Sequence, residues 1–202
     1  RMAYLQQLVT ELKTVTAQIE QGWLSSGGNY RQAFINNTGT ANGSSISLLA
    51  NSFNFDFETL KNFKFKIPLG KFNGGVVLPE KVEAYYAEGS TQLAKAQLEN
   101  FKFIYEGTGT NGADGPGFYE YLLCLETEAM TGTLLADDIR GQFERIEQAL
   151  APVADPMSEA LVSDFTTVDN AYTEMQIMVP KIKHEMTSAL AIQISYQDND
   201  GD

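Results

Sequence analysis

The amino-acid sequence predicts an all-α protein, a helical bundle connected by long irregular loops. In every long segment the apolar residues recur at steps of three and four, the spacing that lines one face of a helix. Stretches that alternate like a strand are scarce, and no internal repeat stands out. The chain has 202 residues, of which 43% are hydrophobic, so it can fill a core of its own. We therefore expect a single helical domain over residues 1–202.

The N-terminal part of the sequence predicts two helices separated by a loop. An amphipathic pattern runs from Leu5 to Trp23 and ends at a Ser-Ser-Gly-Gly stretch. Residues 29–45 are mostly Asn, Thr, Gly and Ser, so we expect a surface loop that contains one short turn of helix. Ser44 or Ser45 can cap the second helix. Residues 54–57 also alternate like a strand, and the helix is the structure we expect there.

The middle of the chain predicts one helix between two glycine-rich stretches. Residues 68–79 form a compact loop, and Ser90 then starts a helix whose apolar face continues to Tyr105. Five of the eleven residues from 107 to 117 are glycines, which permit sharp turns at little steric cost. A phosphate-binding loop would need a Lys-Ser or Lys-Thr ending, which is absent. We expect this second stretch to be an irregular insertion.

The C-terminal part predicts a series of helices. The apolar spacing indicates helices over residues 118–125 and 133–150, and a short helix that Asp155 is placed to cap. A longer apolar stripe runs from Val168 to Leu190. Pro180 lies inside this run and removes one helical hydrogen bond, so we expect a kink or a break there.

Composition excludes several classes of function. There are 14 Lys and Arg against 26 Asp and Glu, a formal net charge of −12 that repels a phosphate backbone, so no nucleic-acid partner is expected. The single cysteine, Cys124, excludes an intramolecular disulfide and a cysteine-based zinc site, and its apolar neighbours predict that it is buried. No apolar run approaches the roughly 20 residues of a membrane-spanning helix.

The only histidine, His184, is a poor candidate for a metal ligand. It lies opposite the apolar stripe, between Lys183 and Glu185, which predicts an exposed side chain. Zinc motifs would need a metal-binding residue three or four positions later, where Thr187 and Ser188 stand instead. The chain alone is therefore not expected to be a metallopeptidase.

Several short motifs occur in a characteristic order. They are Lys66–Gly70, Val82–Tyr86 followed by Ser90, Gln97–Phe101 with Tyr105–Gly107, and Ala189–Leu190 leading to Tyr196 and an Asp-Asn-Asp-Gly-Asp end. In this order they resemble the second half of imelysin-like proteins over nearly the whole chain. The resemblance implies an all-helical fold built from two bundle-like halves, of which this chain is the C-terminal one.

The resemblance also implies a location and a partner. Imelysin-like proteins are exported bacterial envelope proteins, periplasmic or lipid-anchored in the outer membrane, described as insulin-cleaving metallopeptidases or as iron-regulated proteins. Their Gly-x-His-x-x-Glu metal motif belongs to the first half and is absent here. The implied partner is therefore the N-terminal half of the same protein, which would bind most of any iron or zinc. The uncapped helix at the start of the chain agrees with an upstream half.

The resemblance carries over no catalytic residue, but it does carry over a candidate ligand groove that faces the first half. Its residues are Glu83, Ser90, Tyr105, Asp198, Asp200 and Asp202. Taken singly, Tyr105 is also explained by packing, Ser90 by capping a helix and Glu83 by supporting a turn. The aspartates resemble the start of a calcium loop, but the glycine is not at the sixth position and no distal glutamate follows.

Three functions remain open from the sequence. The first is an envelope protein that binds a metal such as iron, or another ligand, in a groove between two halves, with oxygen ligands suited to hard cations. The second is part of a metallopeptidase whose metal-binding His and Glu lie in the first half. The third is a non-catalytic interaction module. If the chain is one half of a larger protein, we expect either a second polypeptide packed against it or a contiguous apolar patch beside Glu83, Ser90 and Tyr105.

Overall fold

The computed structural model describes residues 1–109 and 111–196, and within them the fold is all-α, as predicted. The only strand-like pairing in this part of the chain is an isolated bridge between Glu128 and Leu134. The backbone divides into two compact units, Arg1–Leu48 and the chain from Leu49 onward.

The α-helices lie close to the predicted segments. They are α1 (Met2–Trp23), α2 (Tyr30–Asn36), α3 (Ser45–Lys61), α4 (Ser90–Glu106), α5 (Phe118–Leu125), α6 (Leu135–Leu150), α7 (Met157–Ser163), α8 (Phe165–Pro180) and α9 (Thr187–Ala189). A first π-helix (Asn62–Lys66) follows α3, and a second π-helix (Lys181–Met186) joins α8 to α9. A 3₁₀ turn covers Pro79–Lys81.

The first unit contains α1 and α2. The ring of Trp23, at the end of α1, meets Tyr30 edge-on at 4.9 Å and lies 5.7 Å from Phe34 in α2. None of the residues of α1 is buried. The aromatic contacts therefore fix the turn between the two helices while the apolar stripe of α1 stays exposed.

The second unit is organised around a cluster of aromatic rings. Phe53 and Phe57 of α3 meet Phe101 of α4 edge-on, with centroids 5.2 and 5.4 Å apart. Phe53 also contacts Phe118 of α5 at 5.6 Å, and Phe57 contacts Phe143 of α6 at 6.5 Å. Edge-to-face geometry is favourable between rings, and all five side chains are buried. The cluster brings the apolar faces of α3, α4, α5 and α6 together.

Pro180 changes the type of helix. A proline lacks the N–H that continues an α-helix, and its ring crowds the carbonyl four residues before it. Here α8 ends at Pro180 and the wider π-helix takes over. The first π-helix is similar in kind, since the N–H of Ile67 bonds the carbonyl of Asn62 five residues earlier at 3.0 Å, just before Pro68.

Two local predictions were wrong. Cys124 is exposed, because α5 buries only Phe118 and Leu122, and a residue two positions beyond Leu122 points away from that face. Asp155 does not cap the helix that follows it. Its carboxylate accepts the N–H groups of Thr91 and Gln92, at 2.8 and 3.0 Å, and so caps α4 from a distant part of the chain.

The glycine-rich stretch after α4 is irregular in its described residues, as predicted, and its two ends touch. Gly107 ends α4 in the left-handed conformation, with φ of 70°. A Cβ at this position would lie 2.0 Å from the carbonyl oxygen of Gly115. Gly112 has a similar φ of 74°, but a Cβ there would meet nothing within 4 Å. Both positions thus require a left-handed backbone, but only at Gly107 does a neighbouring backbone segment leave no room for a side chain.

Gly107→Ala and Gly112→Ala are expected to destabilise the protein to different extents. Each places a Cβ in the left-handed region, which costs about 1–2 kcal/mol. Gly107→Ala also forces backbone atoms apart, which adds about 1–3 kcal/mol. Urea denaturation monitored by circular dichroism measures both losses. Equal losses for the two variants would show that the ends of the loop are not tightly apposed.

Candidate functional site

A stripe of polar residues lies buried on the face of α3 that turns away from the aromatic cluster. Its members recur at steps of three and four and none is more than 6% exposed; they are Asn51, Asn54, Glu58, Lys61 and, at the start of the first π-helix, Asn62. Buried polar groups are costly unless they are bonded. This polar stripe is therefore the part of the fold that most needs a physical explanation.

Lys183 pairs with the stripe from the second π-helix. Its Nζ lies 2.8 Å from Oε1 of Glu58, and both side chains are almost fully buried. Removing two charges from water costs several kcal/mol per ion, and only close, well-bonded geometry compensates for it. The ion pair thus fixes the second π-helix against α3.

A short segment near the C-terminus crosses the stripe, and we call Gln193–Tyr196 the strap. The side-chain amide of Asn51 donates to the carbonyl of Gln193 at 3.1 Å and accepts the N–H of Ser195 at 2.7 Å. The hydroxyl of Tyr196 donates to Oε1 of Glu58 at 3.2 Å. These bonds hold the strap over the ion pair.

Two asparagines of the stripe keep polar atoms that have no hydrogen-bond partner within residues 1–109 and 111–196. Asn54 donates to the carbonyl of Ala50 at 2.8 Å, but its Oδ1 bonds no group in the described part of the chain. Neither amide atom of Asn62 does so. A buried polar atom left unbonded costs about 1–3 kcal/mol, and such atoms in native proteins commonly bond water or a ligand. Asn54, Glu58 and Asn62 follow one another at steps of four, so these atoms flank the buried carboxylate.

The two π-helices carry much of this chemistry. The first begins with Asn62, and the second contributes both Lys183 and Lys181, whose ammonium pairs with Asp138 of α6. Single π turns within α-helices occur frequently at functional sites. Each of the two π-helices therefore supplies buried polar groups.

The structure places Glu83 and Ser90 close together. Glu83 is 46% exposed and its carboxylate lies 2.6 Å from the Nζ of Lys64. Ser90 is the first residue of α4, and its hydroxyl accepts the N–H of Ala84 at 3.2 Å. Ser90 thus stabilises the turn that carries Glu83.

Tyr105 lies at the other end of α4. The fifteen residues from Ser90 correspond to about 22 Å along a helix, so the structure does not bring the two together. The hydroxyl of Tyr105 donates to the carbonyl of Ala136 at 2.8 Å, and burial raises the pKa of this phenol above its ordinary value, which keeps it protonated. Asp198, Asp200 and Asp202 lie outside the described residues, and the ligand groove stays a prediction.

The described residues do not fit a metal centre. His184 is exposed, as expected. Over residues 1–109 and 111–196, no three His, Cys, Asp or Glu side chains come close enough to hold a metal ion. The polar stripe and its partner helix offer one carboxylate, Glu58, beside the ammonium groups of Lys61 and Lys183. Among the described residues, this is not the set of ligands that iron or zinc sites use.

Sequence reasoning missed the polar stripe. The segment 51–62 carries two periodicities, an apolar one that indicates a helix and a polar one offset from it. Polar residues opposite an apolar face are usually solvated, so the polar pattern alone does not predict a buried site. Two features of the sequence could have indicated the buried site, namely Pro68 shortly after the helix and the lysines in both π-helical segments. Both are weak indications.

The fold and the site define an all-α protein whose candidate functional site is a buried polar cluster. A sequence model of the imelysin family, peptidase M75, matches residues 1–181, and the chain belongs to this family. The match includes the polar stripe and ends before Lys183 and the strap. Comparisons with curated proteins and with solved structures gave no match. None of the described helices has the length and apolar character needed to cross a membrane.

Glu58→Gln is expected to destabilise the protein by about 3–5 kcal/mol, because it leaves the charge of Lys183 buried without its carboxylate. The double variant Glu58→Leu, Lys183→Met should recover most of this loss. Urea denaturation measures the free energy of unfolding. Glu83→Gln is the control, since the exposed pair with Lys64 is worth at most about 1 kcal/mol. Similar losses for Glu58→Gln and Glu83→Gln would mean that the buried pair is not structurally important.

Proposed function

We propose that this chain is a ligand-binding protein of the bacterial cell envelope and that its site is the polar stripe of α3. The observation that carries the proposal is the set of buried amide atoms on Asn54 and Asn62 that bond no group among the described residues and lie beside the Glu58–Lys183 ion pair. A polar guest that bonds these atoms would offset their desolvation cost. The envelope location rests on membership of the imelysin family.

The charges of the site indicate the class of ligand. Within the described residues, the charged groups of the stripe and its partner helix are the ammonium groups of Lys61 and Lys183 and the carboxylate of Glu58. Asn54 offers an acceptor, and Asn62 offers both a donor and an acceptor. A small zwitterionic or singly anionic molecule with both donors and acceptors complements this set. A bare cation does not.

The proposal assigns no catalytic step to this chain. The binding of iron or zinc, or peptidase activity, would require donors from an N-terminal half and from Asp198, Asp200 and Asp202. The partner in that arrangement is the N-terminal half of the same protein, as the resemblance implies. The third alternative, a non-catalytic interaction module, needs only an exposed apolar surface on which a partner protein can dock. The polar stripe is the feature that favours a ligand site over both alternatives.

A thermal-shift experiment with Asn62→Leu tests the proposal. The probes are L-glutamine as a zwitterion, L-glutamate as a singly charged anion, and iron(III) nitrilotriacetate as the metal. At least one organic probe is expected to raise the Tm of the natural chain. A ligand at a hundredfold excess over its Kd increases the free energy of unfolding by about 2.7 kcal/mol. Asn62→Leu should lose this shift. Without ligand the variant should be as stable as the natural chain or more so, because it removes a buried unbonded amide.

Asn100→Leu, on the exposed surface of α4, is the matched control and should keep the ligand-induced shift. A shift with iron(III) alone would contradict the proposal and favour the metal-binding alternative. A shift that Asn62→Leu leaves unchanged would place the ligand elsewhere.

A further inference from the structure

The strap is attached differently from the rest of the C-terminal region. Ile192 is buried, but none of the four strap residues after it is. Among the contacts of the strap are the two bonds with Asn51, the bond from Tyr196 to Glu58, and an edge contact of the Tyr196 ring with Phe55 at 5.7 Å. Segments with few buried apolar contacts open at low free energy.

A turn at Ala191 precedes the strap and fixes the point at which the strap begins. The N–H of Ala191 bonds the carbonyl of Ser188 at 3.0 Å, and the N–H of Ile192 bonds that of Thr187 at 2.8 Å. This is the Schellman pattern that ends many helices, and its left-handed position usually holds glycine. Ala191 occupies it with φ of 52°, a conformation that carries strain in a residue with a Cβ. The direction in which the strap leaves the helix is therefore set by a fixed turn.

The strap covers the charged part of the polar stripe. Its last residue, Tyr196, bonds Glu58, and the Nζ of Lys183 lies 5.7 Å from the centre of the Tyr196 ring. Glu58 and Lys183 are only 1% and 8% exposed. A ligand that reaches the ion pair from this side must first displace the strap.

We propose that the strap is a lid that regulates access to the polar stripe and that it moves about the backbone after Ile192, while the turn at Ala191 and the buried Ile192 stay in place as its anchor. The proposal rests on the proposed function, because it concerns entry to the same site. Opening breaks the bonds to Asn51 and Glu58 and leaves the aromatic cluster intact. In the closed position the strap bonds both the Nδ2 and the Oδ1 of Asn51, so the strap backbone takes the hydrogen bonds that a ligand could form with this residue.

Acetylation of lysines by sulfo-NHS acetate, followed by peptide mass spectrometry, tests the lid without any ligand. Asn51→Ala removes two hydrogen bonds to the strap and is expected to raise the acetylation rate of Lys183 about tenfold. Lys181 is the internal control, since it is buried in the same π-helix but pairs with Asp138 of α6. Its rate should not change. Tyr196→Ala should act like Asn51→Ala on Lys183.

The outcomes of this experiment test the lid independently of the proposed ligand-binding function. A rise at Lys183 alone supports the lid, even if the organic probes fail to bind and the proposed function is wrong. Equal rises at Lys181 and Lys183 would mean that the whole second π-helix unfolds, which overturns the lid. No rise in either variant overturns it as well. The natural chain supplies the reference rate.

Discussion

The buried ion pair between Glu58 and Lys183 is the constraint on which the second unit depends. It joins the two sides of the unit, since Glu58 belongs to the helix whose other face builds the aromatic cluster and Lys183 belongs to the π-helix after Pro180. A charge buried alone is far costlier than a pair, so the two helices must stay in register. The strap, the asparagines and the irregular turns are all arranged around this pair.

The candidate site and the family membership suggest different kinds of chemistry. The imelysin family is named for peptidase chemistry, which needs a metal and a water that it activates. The described cluster instead combines ammonium, carboxylate and carboxamide groups, a set that can form hydrogen bonds with a polar molecule. The ligand site that we propose is therefore chemically distinct from a metal site of that kind.

The fold was predictable because apolar spacing is a local property of the chain, and the helices from Met2–Trp23 to Leu135–Leu150 follow it closely. The candidate site was not, since burial of Asn54, Glu58 and Lys61 depends on the second π-helix and the strap, which lie more than a hundred residues away in sequence. Cys124 failed for a related reason. Its neighbours are apolar, but only packing decides which face of a short helix is covered.

The cap that Asp155 provides to α4 gives the chain an order of assembly. The first N–H groups of an α-helix have no partner within the helix, and at Thr91 and Gln92 a carboxylate 64 and 63 residues away supplies one. The first turn of α4 can therefore become stable only after the segment that follows α6 has docked. In a nascent chain, α4 would fray at its beginning until Asp155 has left the ribosome, so the start of this helix is a late step in folding.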